Sequence, residues 1–224
     1  MRFSLPVPTL MLVTDRHRSR TPLIEAVDAA VAAGVDFVQL REPDLSDEEM
    51  RHLAVELLGL IGPDRLILNG RPNLSLELRI GLHLRDDQSP PDRPAADHDR
   101  TLRGRSFHGQ PGARRADRRP DYLLAGNVFG TRTHPGRPPR GLGWLYEIVR
   151  RSDVPVLAIG GITAANVTSV MACGCHGVAV IDAILAETDP GTAAGTLRAA
   201  LDRCLTMPAA RDTPSPTCQG AERT

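Results

Sequence analysis

The chain has 224 residues, 27 basic and 27 acidic side chains and zero formal charge, which argues against a nucleic acid or an anionic membrane as a general electrostatic partner. That length suits one sizeable core and lies close to the size of a single α/β barrel. No lysine occurs, so every permanent side-chain cation is an arginine, and chemistry that needs a lysine amine is excluded.

Thr9 to Thr14 is a compact apolar run ending at Asp15, the pattern of a buried first strand. Leu23, Ile24, Val27, Ala30 and Val31 then form a helical stripe over Pro22 to Ala33, closed by Gly34. Asp36 to Glu42 is a second strand whose Gln39 and Arg41 alternate with apolar neighbours and point to one side, into a barrel end or mouth. Ser46 and Glu49 have the form of a capping box, and Met50, Leu53, Ala54, Leu57 and Leu58 follow at helical spacing to about Leu60. Arg65 to Arg71 is a third strand ending in the polar triplet Asn69-Gly70-Arg71, and Pro72 opens a short helix through Leu78. Gly81-Leu82-His83-Leu84 reads as a fourth strand, followed by Arg85-Asp86-Asp87-Gln88.

Residues 89–102 and 110–120 are polar and poor in apolar content, which predicts shortened helices after the fourth and fifth strands. Between them the fifth strand ends at Arg105 to Gly109, and Asp121 to Phe129 forms the sixth. A long loop with two hydroxyls, Thr131 and Thr133, leads to a helix over Gly143 to Arg150. Val154 to Ala183 is then a βαβ unit: an apolar run closed by Gly160-Gly161, a helical segment from Thr163 to Cys173, and a second apolar run ending in Ile181-Asp182. Leu185 to Leu205 is helical with a break at Pro190, and the Pro/Thr/Ser-rich residues 206–224 are expected to form a disordered tail.

Eight strands with intervening helices, and polar residues recurring at strand C-terminal ends, favour a single (β/α)8 TIM barrel over residues 9–205 rather than an open doubly wound sheet. In such a barrel Gly160, Gly161, Ile181 and Asp182 form two bare turns side by side, the place where backbone amides cradle a phosphate; the plainer alternative is a tight Gly-Gly turn. Cys173, Cys175, Cys204 and Cys218 lack metal-ligand spacing and read as buried or idle thiols. No apolar run approaches a membrane span and the N-terminus has no secretory pattern, so a cytoplasmic protein is expected. Walls left by shortened helices are places where a second copy would pack in a homo-oligomer.

Taken in order, Val38-Gln-Leu-Arg-Glu42, Asn69-Gly-Arg71, Gly81-Leu-His-Leu84, Ser106-Phe-His108, Gly126-Asn-Val-Phe-Gly-Thr-Arg-Thr133, Ala158-Ile-Gly-Gly-Ile162 and Gly177-Val-Ala-Val180 carry a family pattern. On these motifs the chain resembles the thiamine-phosphate synthase and TenI superfamily, with Asn-Gly-Arg closer to the TenI thiazole tautomerase branch. The resemblance implies a small phosphorylated heterocycle, thiazole phosphate, as ligand. Gln39, Arg41, Asn69, Arg71, Ser106, Thr131 and Thr133 would line it, with the phosphate at the two turns.

The tautomerase aromatises a carboxythiazole phosphate by proton transfer and needs no cofactor; its catalytic His stands where this chain has Asn127, so His108 and His134 join Asn127 as catalytic candidates. The synthase couples an aminopyrimidine diphosphate to thiazole phosphate with loss of pyrophosphate and uses Mg²⁺. Its pattern has Lys, Asp and Lys where this chain has Pro43, Gly70 and His134, and the family usually has Ser at Asp182. Tautomerase-like binding or catalysis is therefore the first expectation, synthase activity the second, and a catalytically degenerate regulatory barrel the third.

Overall fold

The computed structural model describes residues 5–88, 101–109, 120–132, 136 and 138–206. Strands β1 (Thr9–Val13), β2 (Phe37–Leu40), β3 (Leu66–Asn69), β4 (Gly81–Leu84), β5 (Arg103–Phe107), β6 (Tyr122–Gly126), β7 (Val156–Ile159) and β8 (Gly177–Val180) pair in parallel in sequence order. β8 returns to β1, with Leu12 opposite Val180, so the barrel is closed and the open sheet is excluded.

Alternation along each strand divides the apolar residues into two cores. Met11, Val13, Phe37, Ile67, Tyr122, Leu124, Leu157 and Ala179 fill the barrel interior. Leu10, Leu12, Val38, Leu40, Leu66, Leu68, Val156 and Val178 face outward into a second core with the helices. Each such leucine, fully buried, contributes about 1.5–3 kcal/mol relative to exposure.

The surrounding helices are α1 (Leu23–Ala32), α2 (Asp47–Ile61), α3 (Pro72–Leu78), α4 (Gly141–Arg151), α5 (Val167–Met171), α6 (Asp182–Leu185) and α7 (Pro190–Thr206). Ser46 starts α2 with the expected reciprocal cap: its Oγ accepts from Glu49 N at 3.2 Å, and its N–H donates to Glu49 Oε2 at 2.8 Å. Two expectations are corrected. Pro190 begins α7 instead of breaking a longer helix, because Asp189 accepts from Thr192 N at 2.9 Å and a proline needs no N–H partner in the first turn. Thr163 to Asn166 is a turn and only Val167–Met171 is α-helical, since Asn166 Oδ1 accepts from Thr163 N at 2.9 Å.

The shortened helices expected after β4 and β5 fall largely on residues 89–100 and 110–119, outside the described residues; so does the expected tail beyond Thr206, which itself ends α7. Among the described residues no helix is long and apolar enough to cross a membrane.

Candidate functional site

The C-terminal ends of the strands open into a cavity of about 1190 Å³. Its floor follows from the period of two: Val13, Gln39, Asn69, Ser106, Leu124, Gly126, Ile159 and Ala179 are inward positions near the ends of seven strands. Asn69 Nδ2 donates to Gln39 Oε1 at 3.1 Å, which orients both amides.

Directly beneath, His83 is fully buried between Tyr122 Oη at 3.1 Å from Nδ1 and Ser106 Oγ at 2.9 Å from Nε2. Burial pushes the imidazole down to about 3, helped by the nearby charges of His108 and Arg105, and pushes the Tyr122 phenol up. A neutral imidazole donates from one nitrogen and accepts at the other, so Tyr122 and Ser106 are coupled through His83. Sequence reasoning missed this pair, although the inward register of Gly81-Leu-His-Leu was the signal that points to His83.

One wall, at the ends of β2 and β4, is cationic: Arg41 and Arg85 line the cavity there, while Arg132 and Arg140 line it from the loop after β6, Arg140 with its guanidinium 5.1 Å from the Trp144 ring centroid. Arg41 is fixed through its backbone, whose N–H donates to Thr14 Oγ1 at 2.9 Å. Behind it Glu42, 1% exposed, accepts Arg16 N at both oxygens and ties the β1 and β2 loops together. Asp86 and Asp87 lie on the same side, Asp87 paired with Arg85 at 3.4 Å.

The opposite wall is backbone. Gly160 and Gly161 have φ of 105° and 63°, and a Cβ on Gly161 would stand 2.4 Å from Gly130 O, so only glycine closes this turn against the loop after β6. That loop is stitched to β7 by Val128 N to Ile159 O at 2.9 Å and Phe129 N to Gly160 O at 3.0 Å. The amides of Asp182 and Ala183 precede the first bond within α6, Ile184 N to Ile181 O at 3.1 Å, and both residues line the cavity. The Asp182 carboxylate is held by Arg18 through Nε at 2.8 Å and Nη2 at 2.6 Å, which keeps the guanidinium pKa above its ordinary value.

The fold thus brings Gln39, Arg41, Asn69, Ser106, His108, Asn127, Thr131, Gly160, Gly161, Ile181 and Asp182 to one mouth. His108 Nδ1 lies 2.6 Å from Gly126 O. Arg71 stands apart from this mouth. It lines a separate pocket of about 310 Å³, shared with Arg41, Asn69 and Arg85, and its guanidinium is engaged by Asp47 and the Leu45 carbonyl. The partner of the Asp182 carboxylate is Arg18, which sequence reasoning overlooked because the two are 164 positions apart. Thr133 and His134 lie outside the described residues.

The sequence pattern of the family described as thiamine monophosphate synthase matches residues 10–184, from β1 into α6. The chain belongs to the thiamine-phosphate synthase and TenI superfamily. It is 38% identical over 205 residues to the thiamine-phosphate synthase of Roseiflexus castenholzii, covering 86% of this chain and 90% of that one. It is 31% identical to the putative thiamine-phosphate synthase 2 of Aquifex aeolicus, over 81% of this chain and all of that one. Among solved structures it is similar to thiamine phosphate pyrophosphorylase from Pyrococcus furiosus, with TM-score 0.73 and 27% identity over 88% of this chain and 97% of that one.

The synthase branch of this superfamily implies Mg²⁺. Among the described residues no group of three acidic, His or Cys side chains is arranged to hold a metal. Gly70, where the synthase pattern has Asp, has a left-handed φ of 71°, and Gln88 Nε2 donates to its carbonyl at 3.0 Å. A magnesium ion carried on substrate phosphates needs only one or two protein carboxylates, and Asp86 and Asp87 at the cavity rim fit that smaller demand.

Proposed function

We propose that this chain is a thiamine-phosphate synthase that joins an aminopyrimidine diphosphate to a thiazole phosphate and releases pyrophosphate. The observation that carries the reading is the two-sided mouth. Arg41 and Arg85 stand across the mouth from a backbone cradle, Arg132 and Arg140 line it from the loop after β6, and the cavity of about 1190 Å³ exceeds the roughly 300–1,000 Å³ usual for one ligand. The synthase names of the relatives support it over the tautomerase that sequence reasoning put first.

In this reaction the C–O bond at the pyrimidine methylene breaks and its electron pair leaves with pyrophosphate. The lone pair of the thiazole nitrogen forms the new C–N bond. No proton leaves the reacting centre, so a residue that cannot titrate is tolerated at position 127. Arg41 and Arg85 are on hand where negative charge grows on the departing group, in a site where fixed cations are most effective. Mg²⁺, held by Asp86 and Asp87, would neutralise the diphosphate further. Gly160, Gly161 and the amides of Asp182 and Ala183 would hold the thiazole phosphate, while Gln39, Asn69 and Ser106 supply donors and acceptors to the rings.

The tautomerase reading keeps one supporting observation: His108 lines the same cavity and is an imidazole able to move a proton. Two measurements separate the readings. Calorimetric titration of thiazole phosphate into pyrophosphate-saturated protein should still give binding, because the anions occupy different walls. Mutually exclusive binding, together with isomerisation of carboxythiazole phosphate followed by proton NMR, would favour the tautomerase instead.

A further inference from the structure

We propose that Arg18 is a positioning residue for the phosphate subsite: by pairing with Asp182 it cancels the carboxylate charge beside the Gly160–Gly161 turn, so that a phosphate dianion is accepted there. The inference rests on the reading above that the thiazole phosphate lies against that turn.

Asp182 lines the cavity on the same wall as Gly160, Gly161, Ile181 and Ala183, so its charge is set at the place where a dianion would arrive. Uncompensated, it repels the ligand in a partly desolvated site where charge interactions are strengthened. Arg18 is not among the residues lining the cavity; it comes from the turn after β1, closed by Arg18 N to Asp15 O at 2.9 Å. Arg20 N donates to Leu185 O at 3.0 Å and fastens this loop to the end of α6, so the guanidinium is presented to Asp182 by two anchored segments. The resulting pair is parallel and two-pronged, at 2.8 and 2.6 Å, with the side chains 28% and 29% exposed. That is the geometry in which arginine binds a carboxylate with both prongs, and a lysine would not reproduce it. The Arg16 network on the neighbouring stretch ends on Glu42 and Asp44, so it leaves Asp182 to Arg18.

The consequence is that phosphate affinity follows the net charge of the pair, not the presence of its hydrogen bonds. The native pair is neutral, Arg18→Gln leaves it at −1, Asp182→Asn leaves it at +1, and the double variant is neutral again. The test is calorimetric affinity for thiazole phosphate in the full chain, with the unphosphorylated thiazole alcohol as control and thermal melting to check folding. R18Q is expected to weaken thiazole phosphate binding about 10- to 100-fold, equivalent to about 1.4–2.7 kcal/mol. D182N should tighten it about threefold or more, and the double variant should return to within about threefold of the native value. The alcohol should bind all four proteins alike.

If both single variants and the double variant are equally weak, the pair is only a structural brace and the proposal is overturned. Should R18Q not fold, D182N carries the test alone: tighter binding supports the proposal and weaker binding refutes it. Absence of heat with native protein at millimolar thiazole phosphate would instead overturn the functional reading, a result distinct from failure of rescue.

Discussion

His83 sits inside the barrel as a neutral imidazole, and acid is what tests that state. Its folded-state pKa is pushed down to about 3 by burial, below the ordinary 6.5 of an exposed histidine. The neutral ring thus contributes stability that is fully present above 6.5 and is lost as pH falls from 6.5 toward 3. Replacing it by His83→Gln should cost about 1–3 kcal/mol at pH 7, through loss of its bonds to Tyr122 and Ser106, yet flatten the dependence on acid. Melting curves between pH 7 and 4 check this: the native midpoint should fall more steeply than the variant's, and parallel slopes would contradict the assignment. Gly161→Ala is the companion case at the mouth. A Cβ there meets Gly130 O at 2.4 Å on a left-handed backbone, a cost of about 1–3 kcal/mol, and weaker thiazole phosphate binding should accompany the lower melting point. Substitution at residue 161 without effect on either would mean that the turn is not the cradle.

Elements were the most legible scale, and the reason is local chemistry. Ser46 and Glu49 announce α2, Pro72 announces α3, and the apolar runs at Thr9 and Val156 are short and flanked by turn residues, as buried strands are. Ser46→Ala should cost about 1 kcal/mol and lower the melting temperature by about 2–4 °C with turnover unchanged, since the cap lies away from the cavity. A shift in turnover without a shift in melting would show that α2 does more than support the wall. What the sequence did not reveal is the part made by distant pairs. Arg18 meets Asp182, and Arg71 turns to Asp47, through contacts that no local spacing encodes. His83 was legible in principle from strand register but was eclipsed by the loop histidines at 108 and 134.

At the scale of the whole molecule, closure of β8 onto β1 sets the glycine turn of β7 and the amides after β8 across one mouth from the arginines delivered by β2 and β4. Neither wall is complete alone: the amides suit a phosphate ester, the guanidinia a departing diphosphate. The barrel was foreseeable because alternation and strand count converge on it, whereas the choice between coupling and tautomerisation was not. Asn127 weighs against proton transfer, and Gly70 and the absence of lysine weigh against a standard diphosphate clamp. Arginine at four lining positions is the physical answer to the second objection.

That answer makes a direct demand on the purified protein. With Mg²⁺ present, pyrophosphate release should require the aminopyrimidine diphosphate and thiazole phosphate together, rise in step with thiamine phosphate, and fall about 10- to 1,000-fold in Arg41→Ala. Pyrophosphate release at background with both substrates, by a folded protein that binds each of them, would contradict the account.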